Sequence, residues 1–586
     1  MENTNMVNVK INGKDYSVKA SSTILEACRE AGVEIPTLCF LKEINEIAAC
    51  RVCVVEVKGA RTLVASCVYP VYEGIEITTN SKKVVEARRK TVELLMSNHR
   101  KDCLSCVRSG SCELMSLAAA TGVDVQNRYE GEKTKTEIDD SAPHLIRDNS
   151  KCVLCRRCVA VCAENQAVGV IGPSNRGFET QITSEFNLPL NETKCINCGQ
   201  CINVCPVGAL YEKSDIDKII DALNDPTKHV VVQTAPAVRA AIAEEFGKEI
   251  GTNGQGKMVS ALRAIGFDKV FDTNFSADLT IMEEATELIE RIKNKGTLPM
   301  ITSCSPGWIR YIENFYPELI GHISSCKSPQ QMLGAVIKTY YAEKNNIDPK
   351  NIVSVSVMPC TAKKYEIHRN DQNAAGVPDV DYTMTTRELG RLIKRFSINW
   401  DYLKESDFDS PMGEGSGAAV IFGATGGVME AALRTAADFI TGKQLESVDY
   451  KEVRGMEGIK EATYKITDGL TVKVAIASGT ANAKKILDMI KAGKCDYQFI
   501  EIMCCPGGCI NGGGQPQVPA HIRNTTNYRE KRAKVLYDID LSLKNRKSHN
   551  NTQIKDIYSL YLGEPGKGKA HEYLHTKYLN TGKINV

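Results

Sequence analysis

The segments KCVLCRRCVAVC (residues 151–162) and KCINCGQCINVCP (residues 194–206) repeat one cysteine spacing, C-x2-C-x2-C-x3-C. This spacing is typical of chains that fold around two [4Fe–4S] clusters, where the fourth cysteine of each run binds the other run's cluster. We therefore predict one cluster on Cys152, Cys155, Cys158 and Cys205, and a second on Cys195, Cys198, Cys201 and Cys162. Pro206 follows the second run as the motif expects, whereas Ala163 follows the first, a departure that changes no ligand.

A second group of cysteines lies upstream, after a β-rich start and a helix-like STILEACREAG: Cys39, Cys50, Cys53 and Cys67. A lone cysteine, a close C-x2-C pair and a distant fourth cysteine resemble the plant-type ferredoxin arrangement around a [2Fe–2S] cluster. The gap before Cys50 is longer than the commonest ferredoxin spacing. A structural zinc site is the alternative, although zinc sites usually pair two C-x2-C knuckles.

A third group lies between these two, in SNHRKDCLSCVRSGSC, and offers His99, Cys103, Cys106 and Cys112. Three thiolates and one imidazole can hold either zinc or a [4Fe–4S] cluster, so the ligand types alone do not separate the two. The position between two iron–sulfur modules favours the cluster. We expect the neutral imidazole to make that cluster less negative than one with four thiolates.

Composition and charge restrict the class of protein. The 586 residues are enough for several domains. The net charge is +2 and the charges are interspersed, so no basic surface for nucleic acid or membrane is predicted. Since the sequence has no apolar run of about 18 residues and no signal sequence, we expect a cytoplasmic protein. In that compartment disulfides are rare, so the 23 cysteines indicate metal ligation. Cys28 and Cys495 stand outside every motif and are interpreted as buried structural thiols.

From about residue 225 the pattern changes to apolar strands and amphipathic helices, typical of an α/β domain with mainly parallel sheets. The predicted strands are HVVVQTA, PMITS, IVSVSVM, AAVIF, KVAIA and YQFIEIM, and the predicted helices are GKMVSALRAIG, TIMEEATELIERIK and TTRELGRLIKRF. Cysteines follow three of these strands, in TSCSPGW, MPCTAKKYE and EIMCCPGGCINGGGQP. Since ligands bind outside the carboxyl ends of parallel strands, we expect the three segments to converge on one site.

These three segments resemble the signature segments of [FeFe]-hydrogenases, in the family's order, and with the front modules the resemblance covers almost the whole chain. It is nearest to the large clostridial-type form with four accessory clusters. The resemblance implies an H-cluster, in which a cysteine thiolate joins a [4Fe–4S] cubane to a two-iron unit carrying CO, cyanide and azadithiolate. It implies that Cys360, Cys505 and Cys509 bind the cubane and that Cys509 is the bridge. The glycines around Cys509 are expected to let the backbone approach this inorganic unit.

The first signature segment departs from the family. The usual pattern has two adjacent cysteines, the first relaying protons and the second binding the cubane, but here they are Cys304 and Ser305. A serine alkoxide is a poorer iron ligand than a thiolate. Three alternatives follow: Ser305 binds the cubane, Cys304 does so, or an extra thiol such as Cys504 or Cys326 substitutes. Proton relay is the preferred role for Cys304.

The resemblance also implies contacts to the cofactor from Met358, Met503, Ser305 and Gln330, and from Lys363, whose ammonium would bond an iron-bound cyanide. Without the resemblance, core packing for the methionines and a surface position for Lys363 would be favoured. In TAPAVR, Ala237 stands where a serine is common, so one hydroxyl contact is expected to be missing.

A proton route is implied by the same resemblance: Cys304, Glu284, Ser324 and Glu287, with Arg291 near its outer end. Glu284 and Glu287 are i, i+3 on one predicted helix, so both can face one channel. A solvent-exposed acidic helix face is the alternative that spacing alone favours.

The sequence thus predicts a multidomain α/β and α+β protein that interconverts H2 with protons and electrons. Its expected domains are 1–80 ([2Fe–2S]), 81–125 (one His, three Cys), 140–212 (two [4Fe–4S]), 213–524 (H-cluster) and 525–586 (small-subunit-like). One [2Fe–2S] and three [4Fe–4S] clusters would pass electrons to ferredoxin or NAD(P)-linked partner subunits, and maturation proteins would insert the H-cluster. The alternatives are a hydrogen sensor and a complex I-type electron-transfer subunit without an H-cluster.

Overall fold

The structure, a computed structural model, describes residues 5–125, 128–129, 131–444, 449–467 and 469–580. It begins with a five-stranded sheet of order β2-β1-β5-β3-β4. The strands are β1 Met6–Ile11, β2 Lys14–Lys19, β3 Val54–Val57, β4 Val64–Ala65 and β5 Glu76–Thr78. Asn12 and Gly13 join β1 to β2 with φ of 49° and 83°, the two-residue turn whose twist matches that of a hairpin.

Three helices accompany this sheet: α1 Ile24–Glu30, α2 Lys82–Asn98 and α3 Glu113–Ala120. Thr23 and Glu26 form a capping box that fixes the start of α1. His99 is the residue directly after α2, and Cys112 is the residue directly before α3. The loop between these two helices therefore carries the whole group of one histidine and three cysteines.

The twin cysteine runs follow, with α4 Arg157–Ala160 in the first and α5 Gln200–Val204 in the second. The two runs fold alike: Arg156 and Gly199, the equivalent residues that precede these helices, have φ of 63° and 66°. Around them lie a three-stranded sheet of order β10-β7-β6 and the hairpin β8-β9. The strands are β6 Ile138–Asp139, β7 Leu145–Asp148, β8 Ile171–Ser174, β9 Gln181–Ser184 and β10 Leu210–Glu212.

The second half contains two four-stranded sheets, of order β12-β11-β14-β15 and β13-β18-β17-β16. The first is parallel throughout, and in the second only β16 is antiparallel to its neighbour. The strands are β11 His229–Thr234, β12 Lys269–Asp272, β13 Met300–Ile301, β14 Ile352–Met358, β15 Tyr382–Thr385, β16 Ile459–Thr467, β17 Leu470–Ser478 and β18 Phe499–Met503. All seven residues of β14 are buried, as expected for a central parallel strand covered on both faces.

Helices cover both sheets. They are α6 Ile216–Asn224, α7 Pro236–Arg239, α8 Gln255–Ile265, α9 Thr273–Lys293, α10 Pro306–Phe315, α11 Pro329–Val336, α12 Ala342–Lys344, α13 Lys363–Glu366, α14 Thr386–Arg395, α15 Gly417–Val420, α16 Gly427–Thr441, α17 Thr480–Lys491 and α18 Ala520–Arg523. Asp272 begins α9, because its side chain accepts a hydrogen bond from the backbone N–H of Asn274. This long helix carries the acidic residues predicted for the proton route.

Five of the six predicted strand segments contain a strand, but AAVIF is helical, and that prediction was wrong. Ser416 caps α15, since its hydroxyl accepts from the N–H of Ala419 and donates to Asp278 over 2.6 Å. A short, fully buried apolar run does not by itself distinguish helix from strand, so this cap decided the outcome.

The last described segment packs onto the catalytic half through α19 Tyr528–Ser542, α20 Thr552–Ile557 and α21 Gly568–Leu574. Arg532 on α19 forms a two-pronged ion pair with Glu244, at 2.8 and 2.6 Å. Further along, the N–H of Thr576 bonds the carbonyl of Ser325. Within the described part of the chain, no helix is long and apolar enough to cross a membrane.

Candidate active site and iron–sulfur sites

The four N-terminal cysteines lie together and buried, inside the first sheet domain. The backbone N–H groups of Cys39 and Cys50 each point at the other residue's sulfur over 3.4 Å. Within each coupled pair, a side-chain hydrogen bond lowers the pKa of one thiol, Cys50 or Cys53, and raises that of its partner, Cys39 or Cys67. N–H donors aimed at sulfur favour the thiolate form, which is the form that binds metal.

The group of one histidine and three cysteines lines a cavity of about 320 Å³ between α2 and α3. His99 is buried, its Nδ1 has no partner among the described residues, and burial lowers its pKa. A neutral imidazole with a free ring nitrogen is suited to metal binding. Gly208 lies against this group, where a Cβ would come within 2.6 Å of the Cys106 sulfur.

The cysteines of the twin runs separate into the two sets that the spacing predicts. One cavity is lined by Cys152, Cys155, Cys158 and Cys205, and the other by Cys162, Cys195, Cys198 and Cys201. The second cavity also holds His144, which is fully buried with neither ring nitrogen bonded to a described residue. Burial lowers the pKa of His144 to about 3, so the ring is neutral. Sequence reasoning missed this residue because a lone histidine in a polar loop carries no signal.

The cysteines of the three signature segments lie at the carboxyl ends of strands in both large sheets. Cys360 follows β14 in the first sheet, whereas Cys304 follows β13, and Cys504, Cys505 and Cys509 follow β18, in the second. After burial, the neighbouring thiols Cys505 and Cys509 are the main groups that raise the pKa of Cys360. A compact set of buried, soft sulfur donors fits an iron–sulfur cubane.

Ser305, the second of the two positions where the family has adjacent cysteines, lies against Cys504. The Ser305 hydroxyl accepts a hydrogen bond from the backbone N–H of Cys504 over 3.2 Å. Cys326, the other candidate thiol, lies elsewhere: its sulfur is 3.9 Å from a carboxylate oxygen of Glu287 on α9. Outside these groups, Cys28 is fully buried in the first domain, as expected, but Cys495 is only half-buried.

Lys363 is buried beside the cysteines rather than on the surface. Its ammonium donates to Ser328 Oγ over 2.7 Å, to Glu366 Oε2 over 2.8 Å and to the carbonyl of Cys304 over 3.3 Å. Gln330 bonds the same Glu366 oxygen over 3.0 Å. These contacts fix the lysine at the edge of the site.

The two predicted methionines are both buried, but they lie in different clusters. Met503 packs in the apolar cluster that also contains Cys304 and Cys509. Met358 packs in the core of the first large sheet, below Cys360. Ala237 lies near the end of the glycine-rich segment, since its carbonyl accepts from Gln515 over 2.8 Å.

At the last three glycines of the run, other parts of the protein fill the space that a Cβ would occupy. A Cβ would lie 2.1 Å from the carbonyl oxygen of Pro359 at Gly512 and 2.2 Å from that of Cys198 at Gly513. At Gly514 it would lie 2.7 Å from Thr385. These glycines therefore allow the catalytic segment to pack closely on the second cysteine run.

The residues predicted for the proton route lie on or beside α9. Glu284 is fully buried, and burial, with the nearby Glu287 charge, raises its pKa to about 7. Ser324 Oγ donates to Glu287 Oε2 over 3.0 Å. Arg291 closes the outer end with a 2.6 Å bond to the other Glu287 oxygen. The alternative of a solvent-exposed acidic face is excluded for Glu284.

Several residues in this group were not found from the sequence. Ser303 donates to Glu284 from both its N–H and its hydroxyl, at 3.4 and 3.3 Å. Ser325 joins Glu287 to His575, whose ring lies 2.8 Å from the serine hydroxyl and 2.9 Å from Glu283. Ser303 adjoins the cysteine motif and was within reach of sequence reasoning. His575 is far away in the chain and was not.

Comparison with known families places recognised domains along the chain. The matches are a 2Fe-2S iron-sulfur cluster binding domain (4–82), the NADH-ubiquinone oxidoreductase-G iron-sulfur binding region (88–127), a 4Fe-4S dicluster domain (151–209), the C-terminal domain of the iron only hydrogenase large subunit (228–513) and the iron hydrogenase small subunit (526–581). Their order agrees with the fold class predicted from the sequence.

Relatives match over nearly the full length. The NADP-reducing hydrogenase subunit HndD of Solidesulfovibrio fructosivorans is 46% identical, over 99% of this chain and 100% of its own. Iron hydrogenase 1 of Clostridium pasteurianum is 45% identical, over 98% and 100%. A solved [FeFe]-hydrogenase structure that describes stepwise H-cluster assembly is 44% identical, with a TM-score of 0.56, over 64% of this chain and 100% of that one.

The domain order, the full-length relatives and the convergence of the three cysteine segments agree with one another. The chain belongs to the iron-only hydrogenase family, as an oxidoreductase acting on H2 that carries accessory [2Fe–2S] and [4Fe–4S] domains.

Proposed function

We propose that Cys360, Cys505 and Cys509 bind the cubane of an H-cluster and that Cys509 bridges it to the two-iron unit. The observation that carries this proposal is the meeting of these three cysteines, of which Cys505 is buried and the other two are partly buried, at the carboxyl ends of β14 and β18. When bound, the H-cluster supplies the redox-active iron at which H2 is interconverted with two protons and two electrons. Lys363 would donate a hydrogen bond to a cyanide ligand, and Met503 would exclude water.

The residues of α9 would carry the proton. Cys304 lies in the apolar cluster at the active centre, and Glu284, which contributes to its raised pKa, lies next to it. The proton would then pass by way of Ser324 to Glu287 and Arg291. A Glu284 carboxyl with a pKa near 7 can both accept and release a proton at neutral pH, which general acid–base transfer requires.

Electrons would move through the accessory sites, which we propose to be one [2Fe–2S] and three [4Fe–4S] clusters. Asn45 bonds the carbonyls of both Cys39 and Cys155, at 2.8 and 3.0 Å, and so joins the [2Fe–2S] site to the first site of the twin runs. Gly208, just after the second cysteine run, lies against the Cys106 sulfur of the His99 site, so this site also adjoins the twin runs. Electrons can therefore enter by two branches that meet before the active centre.

The electron partner would be a ferredoxin or an NAD(P)-linked subunit. An NADP-reducing hydrogenase subunit among the relatives supports a partner subunit with a nicotinamide site. We further propose a cytoplasmic location, insertion of the two-iron unit by hydrogenase maturation proteins, and the domain boundaries 1–80, 81–125, 140–212, 213–524 and 525–586.

Infrared spectroscopy of anaerobically matured protein, beside an H2-evolution assay with reduced viologen, tests the proposal. CO and cyanide bands together with turnover are expected. Bands without turnover would indicate the sensor or a broken proton route instead. No bands after verified maturation would leave an electron-transfer protein and contradict the proposed H-cluster.

A further inference from the structure

Two departures from the expected cysteine pattern face each other in the structure. Ser305 stands where the resemblance expects a cubane ligand, and Cys504 is an additional cysteine beside Cys505. Although the two positions are 199 residues apart, the backbone N–H of Cys504 bonds Ser305 Oγ over 3.2 Å. The Ser305 side chain therefore lies against the backbone of the additional cysteine.

The Cys504 thiol is placed at the cluster sites. It is 4% exposed, and the thiols of Cys505 and Cys198 lie near enough to interact with its side chain. Cys505 belongs to the proposed cubane site and Cys198 to the neighbouring accessory site. Cys504 thus lies between the two sites, in an apolar cluster against which Cys198 also packs.

The surrounding backbone leaves room for this sulfur. A Cβ on Gly307 would lie only 2.7 Å from the Cys504 sulfur, so glycine at this position makes the space. Gly307 is in the first turn of α10, a ten-residue helix. A cysteine thiolate binds iron, and the space beside Gly307 accommodates this sulfur.

Ser305 is poorly suited to the same task. Its hydroxyl must lose a proton to become a strong iron ligand, and iron–sulfur clusters are held by soft thiolates. In the structure the oxygen instead accepts the N–H of Cys504. That hydrogen bond positions the 504–505 backbone.

We propose that Cys504 supplies the fourth cysteine thiolate to the cubane of the H-cluster, in place of Ser305. This inference rests on the proposed function. Cys304 then keeps its thiol for proton relay. Because Cys504 also adjoins Cys198, the exchanged ligand lies on the side of the active centre that faces the nearest accessory cluster.

The test uses the full-length protein produced without the maturation proteins, so that only iron–sulfur clusters assemble, and measures iron and sulfide per chain together with Mössbauer and EPR spectra. Cys504→Ala is expected to lose about four irons, one cubane, while the accessory signals persist. Ser305→Ala is expected to keep its full iron content. The double variant Cys504→Ala/Ser305→Cys is expected to recover the cubane, because it restores the family's ligand position.

Cys495→Ala, at a half-buried thiol outside every group, is the matched control and should change no iron. Iron loss in Ser305→Ala but not in Cys504→Ala would assign the ligand to Ser305 and overturn the inference. Iron loss in Cys304→Ala alone would overturn it in favour of Cys304. Wild-type protein with accessory clusters but no cubane would instead contradict the proposed function itself, so the two failures are distinguishable.

Discussion

Replacing Glu284 with glutamine removes the one fully buried carboxyl between the Cys304 site and the Ser324–Glu287 pair. Glutamine keeps an oxygen that can accept the two hydrogen bonds from Ser303, at 3.4 and 3.3 Å, so the helix and the loop should not move. An amide cannot transfer a proton at neutral pH. We therefore expect H2 evolution to fall by about 10²–10⁴-fold, the usual contribution of a positioned acid or base.

The pKa of Glu284 determines whether the rates of H2 evolution and H2 oxidation rise or fall with pH. With a pKa of about 7, the carboxyl is mainly protonated below pH 7 and ionised above it. Proton delivery needs the acid form, so H2 evolution should decline as the pH rises through about 7. H2 oxidation needs the carboxylate and should decline as the pH falls through the same region. The Gln variant should lose both dependences.

The assay compares viologen-linked H2 evolution and oxidation at several pH values, with infrared spectra to show that the H-cluster is equally loaded. Glu290→Gln, at an exposed position on the same helix, is the control. Glu284→Asp, which withdraws the carboxyl by about 1.5 Å, should lose about 10²-fold. If fully loaded Glu284→Gln retained more than about a tenth of wild-type activity, the route through Glu284 would be refuted.

Four further predictions concern the accessory sites and the core. His99→Cys should keep its cluster but lower its reduction potential in an EPR redox titration, because a thiolate adds negative charge. His144→Phe should lower the potential of the neighbouring cluster by removing a buried N–H donor, and an unchanged potential would contradict this. Gly513→Ala should lower the thermal midpoint, since its Cβ would lie 2.2 Å from the Cys198 carbonyl. Arg434→Ala should lower the thermal midpoint, because the buried Glu430 and Asp540 would each lose one of the two arginines that they bond.

Much of the architecture was predictable because ligand spacing and strand periodicity are local. The twin cysteine runs predicted the same two sets of four that line the two cavities. Most apolar runs of the catalytic half became parallel strands with the cysteines just past their ends. AAVIF became a helix because Ser416, fixed by Asp278, caps it, and that partner lies 138 residues earlier in the chain.

The sequence by itself determined the kinds of clusters, the order of the domains and the family. The reason is that ligands within one loop are close in sequence, so their spacing can be read without the fold. Only the tertiary structure decided which side chains meet across hundreds of residues. It placed Cys504 against Ser305, His575 against Ser325 and His144 in a cluster cavity. The physical reason is that burial and hydrogen bonding depend on neighbours that parallel sheets bring together from distant segments, and no local pattern records those neighbours.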